Sequence, residues 1–273
     1  MASRWLAGES GPWIMGVLNC TPDSFSDGGQ HNSVDAAVAH GLRLHAEGAA
    51  LIDVGGESTR PGSLPVPLDA ELARTMPMIE RLVAHGCVVS IDTSKAEVMR
   101  RAIQAGATMV NDVTALSGDP ESLAMAAEGG VDVCLMHMRG TPATMQLAPH
   151  YDDPFSEVCA FFEARLEASL AAGIREESIL LDPGIGFGKR LSDNLELIRR
   201  TADLRARFGM PVLLGLSRKS FLGAITGAEV AEREWESGAA HAVAAFLGAD
   251  VLRVHDVAMQ KRAMAVGAAL RGR

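Results

Sequence analysis

Eight short apolar runs, spaced evenly along the chain and each closing on polar residues, constrain the fold more than any other feature. They occupy residues 14–18, 50–54, 88–91, 109–113, 131–136, 179–181, 211–216 and 251–254. Runs this short, apolar at consecutive positions, suit parallel strands covered on both faces by helices. The segments between them are Ala-rich and repeat apolar residues at helical spacing, predicting helices over 34–46, 68–84, 155–171 and 191–208. Within 68–84, Leu72, Met76, Ile79 and Val83 share one face and Pro77 marks a kink. Eight strand–helix units in one chain predict an α/β fold of the (β/α)8 TIM barrel type. No linker rich in Pro, Gly or Ser interrupts the 273 residues, so the whole of 1–273 is read as a single domain. A doubly wound open sheet shares the alternation, but the even spacing of the units favours closure.

Charge narrows the partners. Lys and Arg number 25 against 34 Asp and Glu, a net charge of −9, and nucleic-acid or membrane-surface binding needs the opposite, a basic face. With eight Phe, three Trp and one Tyr, stacking on single strands is poorly served as well. No uncharged apolar run approaches the ~18 residues of a membrane span. Residues 1–11 carry Arg4 and no apolar core of a leader, so a soluble, cytoplasmic protein is expected. Cys20, Cys87, Cys134 and Cys159 form no C-x-x-C pair and have no His at ligand spacing, which predicts buried free thiols.

In a closed barrel, chemistry gathers at the C-terminal ends of the strands. There the sequence places Asn19, then Asp53 with Glu57, Ser58, Thr59 and Arg60 beyond it, then Asp92, Asn111 and Asp112. His137 and Arg139, Asp182, Ser217 to Lys219, and Arg253 to Asp256 complete the circuit. Any one of these could simply cap the next helix; eight strand ends all so equipped are harder to explain by capping alone. The Gly-rich segment from Asp182 to Lys189 fits neither the P-loop nor the dinucleotide spacing and reads as a tight turn. Ser217-Arg218-Lys219-Ser220 is either a solvated basic turn or a cation for an anionic or carbonyl-bearing ligand. His137 and His255 lack partners at zinc spacing, no G-x-S-x-G elbow is present, and Met136 and Met138 read as core.

Taken together, these strand ends resemble the dihydropteroate synthase family. Residues 15–29 (MGVLNCTPDSFSDGG) resemble its first signature and residues 53–62 (DVGGESTRPG) its second. IDTSK at 91–95, VNDV at 110–113, LMHM at 135–138, DPGIGFGK at 182–189, GLSRKS at 215–220 and RVHD at 253–256 follow in order, so the likeness runs from the first strand to the last. Cys20 stands where an aliphatic residue is common in the family.

The resemblance implies a (β/α)8 barrel that condenses 6-hydroxymethyl-7,8-dihydropterin diphosphate with 4-aminobenzoate to give 7,8-dihydropteroate and diphosphate. It implies that Asp92, Asn111, Met136, Asp182 and Lys219 line the pterin pocket. Asn19, Thr59, Arg253 and His255 would hold the diphosphate, and Phe25, Arg60, Pro61, Phe187 and Ser220 would shape the aminobenzoate site. Asp92, Lys219 and Arg253 would carry the chemistry. Magnesium ion (Mg2+) is the implied cofactor, on Asn19 and Asp27, and a homodimer formed through the late helices is the implied assembly. The first and second loops would act as lids that exclude water. A pterin-binding methyltransferase barrel shares the Asp and Asn contacts but gives no reason for residues 21–27 or for the Ser-Arg-Lys-Ser cation. An inactive paralogue kept as a binding protein is disfavoured by the intact motifs.

Overall fold

The computed structural model describes residues 3–7, 11–20 and 30–272. Among them lie eight parallel strands: β1 (Trp13–Asn19), β2 (Leu51–Gly55), β3 (Val89–Asp92), β4 (Met109–Asp112), β5 (Asp132–Met136), β6 (Ile179–Asp182), β7 (Leu213–Gly215) and β8 (Val251–Val254). The helices following the first five are α1 (Gln30–Glu47), α2 (Leu68–Ala84), α3 (Ala96–Gln104), α4 (Ser122–Gly129) and α5 (Pro154–Ala171). After β6 come α6 (Leu191–Arg199) and α7 (Thr201–Phe208), after β7 come α8 (Ser220–Thr226) and α9 (Glu234–Leu247), and α10 (Val257–Leu270) follows β8.

Ladders join the strands in the order β6-β5-β4-β3-β2-β1-β8-β7. The circle is completed by a single parallel bridge, Leu181 to Val212, with the Leu181 amide donating to the Pro211 carbonyl at 3.0 Å. The fold is therefore the (β/α)8 barrel that the alternation predicts. The seventh strand is shorter than the apolar run 211–216 for a local reason. Pro211 has no amide to donate, and the Val212 amide is taken by the buried Asp250 carboxylate at 3.0 Å. The seam between β6 and β7 is thus lightly stitched.

Strand residues alternate between two cores, as a period of two requires. Ile52, Val54, Val89, Ile91, Val133, Leu135, Leu181, Leu214 and Leu252 face outward and pack with the helices in the main cluster. Met15, Leu51, Met109, Cys134, Leu180, Leu213 and Val251 face inward and fill the barrel with Trp5. Trp5 closes this inner cluster, its indole N–H donating to Asp132 at 2.8 Å, and Arg4 pairs with the same carboxylate at 2.5 Å. All four cysteines are buried free thiols, and no helix of the described residues is long and apolar enough to cross a membrane.

Two helix expectations need correction. Residues 191–208 form two helices, because the Thr201 hydroxyl takes the Ile198 carbonyl at 2.7 Å and competes with the helical ladder at that point. In helix α2, which contains Pro77, Ile79 of the expected face is buried, but its companions there are Glu71, Thr75, Met78 and Leu82. The register is turned because Glu71, a carboxylate, has a buried partner; Leu72, Met76 and Val83 are only partly buried.

Candidate active site

The inward alternation explains where the polar residues converge. Two positions beyond an apolar floor residue, the inner face turns polar: Leu51 gives way to Asp53, Met109 to Asn111, Leu180 to Asp182 and Val251 to Arg253, while in β3 the buried Ser90 stands two before Asp92. Period two carries all of them to the same end of the same cavity.

Arg253 organises this rim. Its Nε donates to Asp53 Oδ2 at 2.7 Å and its Nη2 to Asp92 Oδ2 at 2.8 Å. The Asn111 amide donates to the same Asp53 oxygen at 3.0 Å. Burial works against the Arg253 charge, but Asp53 and Asp92 hold its pKa above the ordinary value. Burial drives the Asp92 carboxyl up to about 7, with Arg253 pulling it down and Asp53, Asp112 and Glu71 adding to the rise. Asp53 lies within β2 rather than at its end, is fully buried, and keeps Oδ1 without a hydrogen-bond partner.

Across the rim, Asp182 is buried and raised above its usual pKa by that burial, and its Oδ1 accepts from the Gly184 amide at 2.7 Å. Burial lowers Lys219 to about 8, while Asp182 and Asp92 favour its charge and Arg253 opposes it. The Lys219 ammonium lies 4.0 Å from the centroid of the Phe187 ring. His255 Nδ1 is 2.9 Å from the Ser217 hydroxyl; burial first, then Arg253, depresses it to about 3 and leaves the ring neutral.

The Gly-rich turn is built as a cradle for its own lysine. Buried Lys189 donates to the carbonyls of Gly184 at 2.9 Å and Phe187 at 3.0 Å, and contacts His137 Nδ1 at 2.9 Å. Burial lowers Lys189 to about 7, and burial together with Lys189 lowers His137 to about 2. Gly184 has φ +67°, and a Cβ there would overlap the His137 carbonyl oxygen; only glycine meets both demands.

The second loop is tied down at its root. Lys95 bridges Glu57 and Glu71, each at 2.5 Å, and the Thr93 hydroxyl donates to Glu71 at 2.6 Å. The Glu57 carboxylate also accepts from the Val66 amide at 3.1 Å. Between these anchors Thr59 is half-buried, while Arg60 and Pro61 are exposed.

The expected site residues distribute as follows. Arg253 is bonded directly to Asp92 and, through Asp53, to Asn111, while Lys219 and Asp182 interact with one another and with Arg253 at the same rim. Met136 is buried at the end of β5, level with Asp182 in the ladder, and Asn19 is half-buried at the end of β1. Ser220 begins α8 on the exposed side. Phe25 and Asp27 lie outside the described residues. Asp112, by contrast, is a turn cap, accepting from the Thr114 and Leu116 amides at 2.7 and 2.9 Å, and Asp256 caps α10 through Met259 at 2.9 Å. The sequence offers Asp53 only as one strand-end carboxylate among several and marks no role for Glu71 or Lys189. For Asp53 the signal was present: a carboxylate two positions after an inward Leu in a wholly apolar strand requires a buried cation.

A family profile described as pterin binding enzyme matches residues 15–255. The chain is 48% identical over 258 residues to the dihydropteroate synthase of Escherichia coli strain K12, covering 94% of this chain and 91% of that one. Its fold matches the Xanthomonas albilineans dihydropteroate synthase with 4-aminobenzoic acid at a TM-score of 0.90 and 50% identity, covering 97% and 95% of the two chains. The same organism's enzyme in complex with 7,8-dihydropteroate matches at 0.86 and 47% identity, covering 97% and 96%.

Proposed function

The chain belongs to the dihydropteroate synthase family of pterin-binding enzymes, and on that premise we propose how its own residues carry the reaction. The enzyme condenses 6-hydroxymethyl-7,8-dihydropterin diphosphate with 4-aminobenzoate, giving 7,8-dihydropteroate and diphosphate. The observation that carries this reading is the rim itself, where one arginine shared by two carboxylates stands opposite the buried Asp182 and the half-buried Lys219.

The two halves suit the two ends of the pterin diphosphate. A pterin offers N–H donors on one edge and a carbonyl on another. Asp182 accepts from the donor edge, Asn111 pairs beside it, Lys219 donates to the carbonyl, and Met136 packs against the ring. Pairing of this kind in a buried pocket rejects analogues that lack the matching groups. The diphosphate lies toward Arg253, neutral His255, Thr59 and Asn19. With the Ser217 hydroxyl donating to Nδ1, His255 keeps Nε2–H free to donate to a phosphate oxygen.

The C–O bond to diphosphate breaks ahead of attack, and its electron pair leaves with the diphosphate. Arg253 and His255 offset the charge that gathers on it. Asp92, as carboxylate, stabilises the positive charge left on the pterin methylene. The aminobenzoate nitrogen then attacks and gives up a proton; as an aniline it is neutral near pH 7 and needs no strong base. Arg60, Pro61, Phe187 and Ser220 border the entry side, with Phe25 expected there from the first loop. Loops closing over this side keep water from the methylene carbon.

We propose magnesium as the cofactor on the chemistry of its expected ligands. Asn19 supplies one hard oxygen, Asp27 is the expected second, and no cluster of three or more His, Cys, Asp or Glu among the described residues forms a cage. That is the donor set of an ion completing its shell with phosphate oxygens and water. When bound, magnesium supplies charge neutralisation on the diphosphate. We further propose a cytoplasmic homodimer formed through the late helices, supported by the exposed Val243, Phe246, Val266 and Leu270 on α9 and α10.

A diphosphate-release assay tests the reaction. Release that requires both substrates and falls on magnesium chelation is expected; no release under these conditions overturns the reading.

A further inference from the structure

Lys219 sits at the end of a strained turn whose shape is imposed by a neighbouring helix. Leu216 and Lys219 close the turn, carbonyl to amide at 3.3 Å, and Arg218 at its third position has φ +58°. A turn with positive φ there normally takes glycine, because a Cβ crowds the backbone in that conformation. Arginine holds it here because the start of α9 grips the residue from three sides. The Arg218 amide donates to the fully buried Ser237 hydroxyl at 3.0 Å, which in turn donates to the Arg233 carbonyl at 2.5 Å. The Arg218 guanidinium pairs with Glu234. Arg233 donates to the Arg218 carbonyl at 3.4 Å and to the Ala228 carbonyl at 2.9 Å. Its guanidinium lies against Gly223 of α8, where a Cβ would collide with it.

We infer that Arg233, Glu234 and Ser237 are positioning residues: they lock the Arg218 turn in the one conformation that swings Lys219 inward over Phe187 to meet the pterin. Ser237 and Arg233 act through the backbone of Arg218, and Glu234 through its guanidinium. The inference rests on the pterin-facing role given to Lys219 above, but the geometry of the clamp stands apart from it. The groups that face the lysine are Asp182 from β6, Asp92 from β3, Arg253 from β8 and the Phe187 ring.

The test reads Lys219 directly. Wild type, Ser237→Ala, Glu234→Gln and Ser237→Ala/Arg218→Gly are labelled with a lysine-acylating reagent across a pH series, and modification of Lys219 is quantified by peptide mass spectrometry. In Ser237→Ala the half-labelling pH at Lys219 rises by about one unit toward that of an ordinary lysine. KM for the pterin diphosphate rises about tenfold while KM for aminobenzoate holds. Glu234→Gln shifts both the same way by less, and serves alone if Ser237→Ala does not fold. Arg218→Gly added to Ser237→Ala restores the labelling profile, because glycine adopts the turn without help. A folded Ser237→Ala or Glu234→Gln variant with an unchanged Lys219 profile and pterin KM overturns the inference, as does a double variant that labels like Ser237→Ala alone. Labelling requires no turnover, so a wild type that released no diphosphate would sink the proposed reaction without deciding the clamp.

Discussion

Arg253 on β8 reaches past β1 to Asp53 on β2, Nε to Oδ2 at 2.7 Å, and the same guanidinium spans on to Asp92 on β3. The cation proposed to receive diphosphate is therefore oriented by two carboxylates in the absence of any ligand. Preorganisation of this kind costs no reorientation as charge develops.

Removing Asp53 should consequently damage both stability and catalysis. Asp53→Ala leaves Arg253 one carboxylate short and Asn111 without its acceptor. Urea unfolding should show a loss of about 3 kcal/mol, the scale for breaking a buried pair, and diphosphate release should fall at least about a hundredfold. A variant as stable and active as wild type would mean that Asp92 alone orients the arginine.

The pH profile follows from two groups of opposite sign. Burial raises the Asp92 carboxyl to about 7, and its proposed role requires the carboxylate, so kcat/KM for the pterin diphosphate should fall as pH drops through that value. Desolvation lowers Lys219 to about 8, and its proposed role requires the ammonium, so the profile should fall again above it. The expected curve is a narrow bell. Asp92→Asn should flatten the acid limb, and a limb that persists in that variant belongs to the substrate.

Lys95 offers a way to separate the two substrates. Replacing it with Met unties Glu57 from Glu71 and frees the root of the loop carrying Arg60 and Pro61. KM for aminobenzoate should rise about tenfold, whereas calorimetric affinity for a pterin should hold. Equal losses for both would show that the network supports the whole rim rather than one loop. Inhibition by sulfonamide analogues of aminobenzoate should weaken in parallel.

Gly184→Ala should be poorly tolerated. The substitution adds a methyl where the His137 carbonyl lies and forces a positive φ that alone costs about 1–2 kcal/mol. A drop in melting temperature with loss of pterin binding is the expected result. An unperturbed variant would contradict the fit of the turn around Lys189.

Much of this could be read from residues alone because the barrel repeats one rule. Eight apolar runs foretell eight strands, and polar residues at their ends foretell a rim. Asn111, Asp182 and Arg253 each follow an inward apolar residue by two, so their convergence is contained in the strand period. What the sequence hid depends on contacts between segments far apart. Asp53 reads as a strand end until its partner 200 positions later is in place. Glu71 spoils the apolar stripe of α2 because its reason, Lys95, lies on a different loop. Thr201 breaks a helix that the periodicity joins, since a single hydroxyl can outbid the ladder. Arg218 gives no sign of its strain, because nothing local distinguishes it from a surface arginine.

The thinly joined seam between β6 and β7 has a consequence for ligand-bound enzyme. Asp182 ends the strand on one bank and Lys219 follows the strand on the other, with one bridge and its Leu181-to-Pro211 backbone hydrogen bond below them. In the complex proposed above, a pterin held by both residues would span that gap as an extra rung. Substrate would then be part of the wall that encloses it: binding would add a stitch to the seam, and departure of product would remove it.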